Sequence, residues 1–129
     1  MKKVTSIIFL AVFLISLCII EEILVKSTLL TINKMGNEIY QISVGNQDVN
    51  TEEIYTKSQE LQKYWEKKED LLCFFVNHKD MHEMGNEILK MISYSKNNIK
   101  EEFLTSLELV IYYSYTFRHL MGVSIQNIF

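Results

Sequence analysis

Residues 4–43 read VTSIIFLAVFLISLCIIEEILVKSTLLTINKMGNEIYQIS. The first 17 of them carry no charge. As a helix they span about 25 Å at 1.5 Å per residue, against a bilayer hydrocarbon core of about 30 Å. The shortfall closes if flanking residues snorkel and residues 23–25 extend the run. Beyond Glu21-Glu22 the pattern changes rather than stops. Apolar residues recur at Val25, Leu29, Ile32, Met35, Ile39 and Ile42, in steps of three and four that mark one helical face. The stretch therefore predicts a transmembrane helix that continues into a packed amphipathic one, to about Ser43. Gly36 is a place where that helix is expected to bend.

The flanks set the expected orientation. Lys2 and Lys3 precede the run, and lysines hold their side of a membrane segment in the cytoplasm. The run ends in Ile19-Ile20-Glu21-Glu22, without the small-x-small pattern of a signal-peptidase site, and Leu17 precedes Cys18 where a lipoprotein signal needs a small residue. Residues 1–22 are read as cytoplasmic lysines plus a retained single-pass anchor. Residues 23–129 are read as an extracytoplasmic helical bundle with an apolar C-terminal tail. A secreted soluble protein is the alternative if the anchor is cut.

Charge narrows the functional classes. The chain of 129 residues holds 16 acidic and 13 basic side chains, and two of the basic ones are Lys2 and Lys3. An acidic domain with no basic stripe lacks the cations that displace counterions from a phosphate backbone, so nucleic acid is not an expected partner. Cys18 lies in the apolar run, which leaves Cys73 as the one thiol beyond it and no pair for an intrachain disulfide. Within DLLCFFV, Cys73 reads as a small buried hydrophobe rather than a reactive thiol.

Three more helices follow by periodicity. Gly45-Asn46 is a stop signal, and Asn50 or Thr51 before Glu52-Glu53 is a start signal. The second helix covers about residues 51–77, with Ile54, Leu61, Trp65, Leu72 and Phe75 on one face and Ser58 and Lys68 as gaps in that stripe. The third covers about residues 80–94, with Met81, Met84, Ile88, Met91 and Ile92. SKNN is a turn. The fourth covers about residues 99–121, with Phe103, Leu107, Val110, Ile111 and Phe117, and Gly122 fits a C-terminal cap. Proline is absent and no stretch alternates with period two. The fold class is all-α: an N-terminal transmembrane helix continuing into an antiparallel three- to four-helix bundle.

His78 and His82 sit four residues apart in NHKDMHEMGNEI. If both lie on one helix they share a face and offer two imidazoles to a divalent ion. A structural zinc needs four ligands and a catalytic one three, and Lys79 stands where a hydrolytic zinc helix carries its glutamate base. No metal or other cofactor is expected; His82 is placed facing water and His78 in the turn before the third helix. The five residues MGNEI occur twice, at 35–39 and 84–88, but the match ends on both sides. Chance, or similar packing of two helices, accounts for it better than a repeat unit. The four glycines, at 36, 45, 85 and 122, form no phosphate loop. The Glu52-Glu53 and Glu101-Glu102 pairs suit helix N-termini. No constellation with a catalytic mechanism appears, so an enzyme is not expected.

Alternating the helices up and down from the membrane brings the turn after LLCFFVNH and the segment IYYSYTFRHLMGVSIQNIF towards the bilayer. Tyr112, Tyr113, Tyr115, Phe117 and Arg118 suit that interface, and Ile125, Ile128 and Phe129 are candidates for insertion or docking on a partner. The competing account makes these aromatics core and packs the tail on the bundle. The basic-then-apolar start, the segment YWEKKEDLLCFFVNHKDMHEM and the closing SIQNIF resemble the bacterial "domain of unknown function 4363" family over nearly the whole chain. Trp65, His78 and Asn127-Ile128-Phe129 look like its recognisable positions. The resemblance implies a small membrane-anchored helical protein of Gram-positive bacteria with no assigned activity. The expected function is a membrane-anchored interaction module that binds another membrane protein or itself. The alternative is an extracytoplasmic ligand- or metal-sensing domain built on the His78/His82 region.

Overall fold

The computed structural model describes the backbone over residues 1–126 and side chains over residues 1–118. Four helices account for it: α1 (Lys2–Gly45), α2 (Glu52–Phe75), α3 (His78–Lys96) and α4 (Lys100–Gln126). No strand occurs among the described residues. Around the bundle, α1 packs on α2 and α4, and α3 packs on the same two, while among the described residues the diagonal pairs do not meet. This is the square cross-section of an up-down-up-down bundle with short connections.

α1 is one unbroken helix of 44 residues. Over residues 4–24 its apolar side chains are exposed, and only Ser16, Glu21 and Glu22 are partly covered. From Val25 onward the same helix buries Val25, Thr28, Leu29, Ile32, Gly36, Ile39 and Ser43. Lys26 pairs with Glu22 one turn below, at the junction of the two regimes. The helix runs straight through Gly36 in hydrogen-bonding terms, and packing explains the residue. A Cβ at this position would lie 2.8 Å from Ile111 Cγ1 on α4. Glycine lets the two backbones approach.

Pairings 46–100, 40–108, 36–111 and 33–114 descend α1 while climbing α4, which fixes the antiparallel register. At the distal end the two connections clip each other. Val49 N–H donates to Asn98 Oδ1 (2.8 Å), Asn98 Nδ2 donates to Asp48 Oδ1 (2.8 Å), and Ser95 Oγ donates to the buried Val49 carbonyl (2.7 Å). Asn98 has φ of 53°, a left-handed conformation that asparagine tolerates better than most residues. One residue thus makes the α3–α4 turn with its backbone and holds the α1–α2 loop with its side chain.

The second MGNEI has a structural counterpart in the first. Shifting the α1–α2 hairpin by 49 residues lays buried Ile32, Ile39 and Ser43 onto buried Met81, Ile88 and Ile92. The same shift lays Ile54, Ser58, Leu61 and Trp65 onto Phe103, Leu107, Val110 and Ser114, all buried. Gly36 and Gly85 correspond, and each admits a large side chain from its neighbour: Ile111 against the first and Trp65, whose Nε1 would lie 3.0 Å from an added Cβ, against the second. The recurrence of MGNEI thus goes with similar packing of two helices.

Helix boundaries differ from the periodic reading at three places. α2 ends at Phe75, and Asn77 caps α3 by accepting Lys79 N–H on Oδ1 at 3.0 Å. His78 consequently lies in the first turn of α3 and not in the turn before it. α3 continues to Lys96, so only Asn97-Asn98 remain of the expected SKNN turn. α4 runs through Gly122 to Gln126 instead of ending there, since a glycine weakens a helix by about 1 kcal/mol without stopping it. The gaps at Ser58 and Lys68 are resolved locally. Ser58 is buried with its hydroxyl donated to the Ile54 carbonyl (2.7 Å), and Lys68 lies over the Tyr64 ring at 5.9 Å.

Two glycine substitutions separate propensity from packing. Gly45, the last residue of α1, has nothing within 4 Å of an added Cβ. Gly45→Ala is expected to stabilise by up to about 1 kcal/mol. Gly36→Ala gains the same propensity but overpacks against Ile111, at a cost of about 1–3 kcal/mol, so it is a net loss. Urea unfolding of both variants in detergent, followed by circular dichroism, distinguishes the two signs.

Candidate functional site

Tyr112, Tyr113 and Tyr115 come from one turn of α4 and point in different directions because successive helical residues are about 100° apart. Tyr112 and Tyr115 are 59% and 53% exposed. They border an open groove of about 450 Å³ between α1 and α4. The groove floor is polar and ordered. Asn33 Nδ2 donates to the Ile111 carbonyl (3.3 Å) and to Ser114 Oγ (3.1 Å). Asn37 Nδ2 donates to Asn33 Oδ1 (3.0 Å), one turn further along α1. Tyr40 hydroxyl donates to Glu108 Oε1 (3.2 Å), and the neighbouring carboxylate raises the Tyr40 pKa. Amides, a phenol–carboxylate pair and two exposed aromatic rings converge there, a combination of oriented hydrogen bonding and apolar area suited to docking another protein.

Tyr113 belongs to the core side. It stacks on the buried Phe117 with ring centroids 5.7 Å apart and planes 3° from parallel. Burial raises its pKa, and Glu83, Glu87 and Asp80 of α3 raise it further. Of the aromatic stripe, then, Tyr113 and Phe117 fill the bundle while Tyr112 and Tyr115 face out. The guanidinium of Arg118 lies 5.9 Å from the Tyr115 ring centroid, which braces the groove's lower edge. Ile125 lies on α4 but its side chain is outside the described residues, as are Ile128 and Phe129 altogether.

His78 and His82 both lie on α3 and both are exposed. They occupy one face at i and i+4, the arrangement that permits chelation by two imidazoles. Among the described residues no three His, Cys, Asp or Glu side chains are grouped to hold a metal ion. His82 also borders a small cleft of about 140 Å³ between α2 and α3, with Trp65, Glu66, Glu69 and Asn86. The Gly36–Ile111 approach and the Asn33–Asn37–Tyr40 ladder are the features that periodicity alone missed. Asparagines at 33 and 37, one turn apart beside the apolar stripe, were the available signal.

Cys73 is half-buried in α2. Burial raises its thiol pKa, and the nearby Glu69 and Asp70 carboxylates raise it further. Since the thiolate is the nucleophile, fewer molecules are reactive at a given pH. With Cys18→Ser in the background, iodoacetamide is expected to alkylate Cys73 more slowly than free cysteine, with the rate–pH curve displaced to higher pH. Glu69→Gln with Asp70→Asn moves the curve part of the way back; an unchanged curve removes the carboxylates as a cause.

The described residues include one helix, α1, long and apolar enough to cross a membrane, and its apolar window is not buried in the bundle. A family model described as "Domain of unknown function (DUF4363)" matches residues 23–128. No curated protein and no solved structure matches the chain.

Proposed function

The chain belongs to the DUF4363 family, and we propose that it acts as a membrane-anchored helical module that binds another membrane protein or a second copy of itself. The observation that carries this reading is the continuity of α1, whose exposed apolar half and buried half form one helix. Residues 4–20 span the bilayer, with Lys2 and Lys3 on the cytoplasmic side and the bundle outside. The absence of a flexible linker within α1 ties the bundle's orientation to that of its membrane segment.

The α1/α4 groove is the docking face. Tyr115 stands at the level of Asn33, about ten residues above Ile23, or about 15 Å along α1. A headgroup layer accounts for about 5–8 Å on each side of the hydrocarbon core. Tyr112 and Tyr115 therefore meet a protein more readily than lipid, at the height where a neighbouring single-pass protein emerges. Their exposed rings supply rigid contact area at low entropic cost, as interface tyrosines do.

Site-specific photocrosslinking tests the proposal. Benzoylphenylalanine in place of Tyr112 or Tyr115 is expected to give discrete adducts in native membranes, of twice the chain mass for self-association or another defined mass for a partner. The same group in place of Lys63, exposed on α2, is expected to give none. Equal labelling from all three positions, or none from the tyrosines, overturns the docking face.

A further inference from the structure

Phe74 is 81% exposed, the most exposed large apolar side chain of the bundle proper among the described residues. It is not loose: its ring meets Phe75 edge-on, centroids 4.9 Å apart at 82°, and Phe75 packs against the core. Its height follows from the antiparallel register. The first connection joins Gly45 of α1 to Glu52 of α2. Counting equal steps from those two helix ends puts buried Leu72 near the level of buried Val25, and Phe74 within about a turn of Ile23. Ile23 and Leu24 are themselves 61% and 42% exposed. Three outward apolar side chains on two neighbouring helices thus lie within about a turn of one another in height, near the end of the exposed apolar run of α1.

We infer that Phe74 is a second membrane contact: it inserts into the interfacial layer of the same bilayer that α1 spans, on the extracytoplasmic side, and sets the tilt of the bundle. The inference rests on the reading of residues 4–20 as membrane-spanning. Continuity identifies the occupant, because on the helical face that carries Ile23 the exposed Ile19 and Ile20 of that segment follow one turn below. Aromatic rings partition to the boundary between headgroups and acyl chains. One helix by itself leaves its bundle free to rotate about the membrane normal and to tilt; a ring held in the interface on α2 removes the tilt. His78, Lys79 and Asp80 follow Phe74 around the α2–α3 turn and keep the neighbouring surface polar, so the insertion stops at the aromatic.

The test uses the full chain in phosphatidylcholine vesicles, with Cys18→Ser and Cys73→Ser and a single nitrobenzoxadiazole label on Phe74→Cys, Leu89→Cys or Leu14→Cys. Leu89 is exposed on α3 at the height of Tyr40, far from the base, and Leu14 lies in the apolar run. The label at 74 is expected to emit to the blue of that at 89, to be quenched by a nitroxide carried near the lipid headgroup, and to resist aqueous iodide several-fold better than that at 89. If the label at 14 is quenched by lipid while that at 74 is as open to iodide as that at 89, the Phe74 contact is overturned and the anchor stands. If the label at 74 resists iodide but no lipid nitroxide quenches it, its cover is protein, which also overturns the contact. If the label at 14 is itself open to iodide, the spanning reading falls and takes this inference with it.

Discussion

One helix has to satisfy two environments, and the architecture is built around that constraint. The backbone of α1 meets its own hydrogen-bonding needs along all 44 residues. Its side chains differ sharply on the two sides of Glu21-Glu22. Below, every face is apolar; above, one stripe from Val25 to Ser43 is buried and the rest is mostly polar, with Leu30 and Val44 as exposed exceptions. A helix apolar all round asks for an apolar surrounding, and a striped one asks for partners on a single side. The other three helices supply those partners only from Val25 upward.

How closely they do so depends on small residues. Gly36 admits Ile111 and Gly85 admits Trp65, at corresponding places in two hairpins whose buried positions repeat after 49 residues. The repeat concerns burial more than identity, since Ile32 matches Met81 and Trp65 matches Ser114. Packing volume is exchanged between layers: where one hairpin places the large indole, the other places a serine. At the distal end Asn98 ties the two hairpins through Val49 and Asp48. A left-handed asparagine does this with its backbone making the turn and its side chain making the tie.

The same packing decides what the surface offers. Setting α4 close to α1 at Gly36 turns Tyr112 and Tyr115 towards the α1 side and Tyr113 towards α3. Asn33 and Asn37 become the groove floor because they flank the buried stripe of α1. On α2, Phe74 is left facing out because Leu72, two residues earlier and about 200° round the helix, takes the core position. Apolar exposure outside the N-terminal run is therefore placed by the rotation of each helix and not spread at random.

The letters alone determined the helices, their buried faces and the apolar run, because hydropathy and the 3.6-residue period are properties of neighbours along the chain. Val25, Leu29, Ile32 and Ile39, or Met81, Met84, Ile88 and Met91, declare their face without reference to any partner. The start near Thr51 was legible for the same reason, as caps act within one turn, whereas Asn77 read as the end of the second helix and is instead the cap of the third. Only the tertiary structure decided the rotation and register of one helix against another. The candidate groove depends on both: a close Gly36–Ile111 approach, the choice among three tyrosines, and side chains brought together from positions as far apart as Tyr40 and Glu108. Those are contacts between distant parts of the chain, and a local period carries no information about which distant turn will face it.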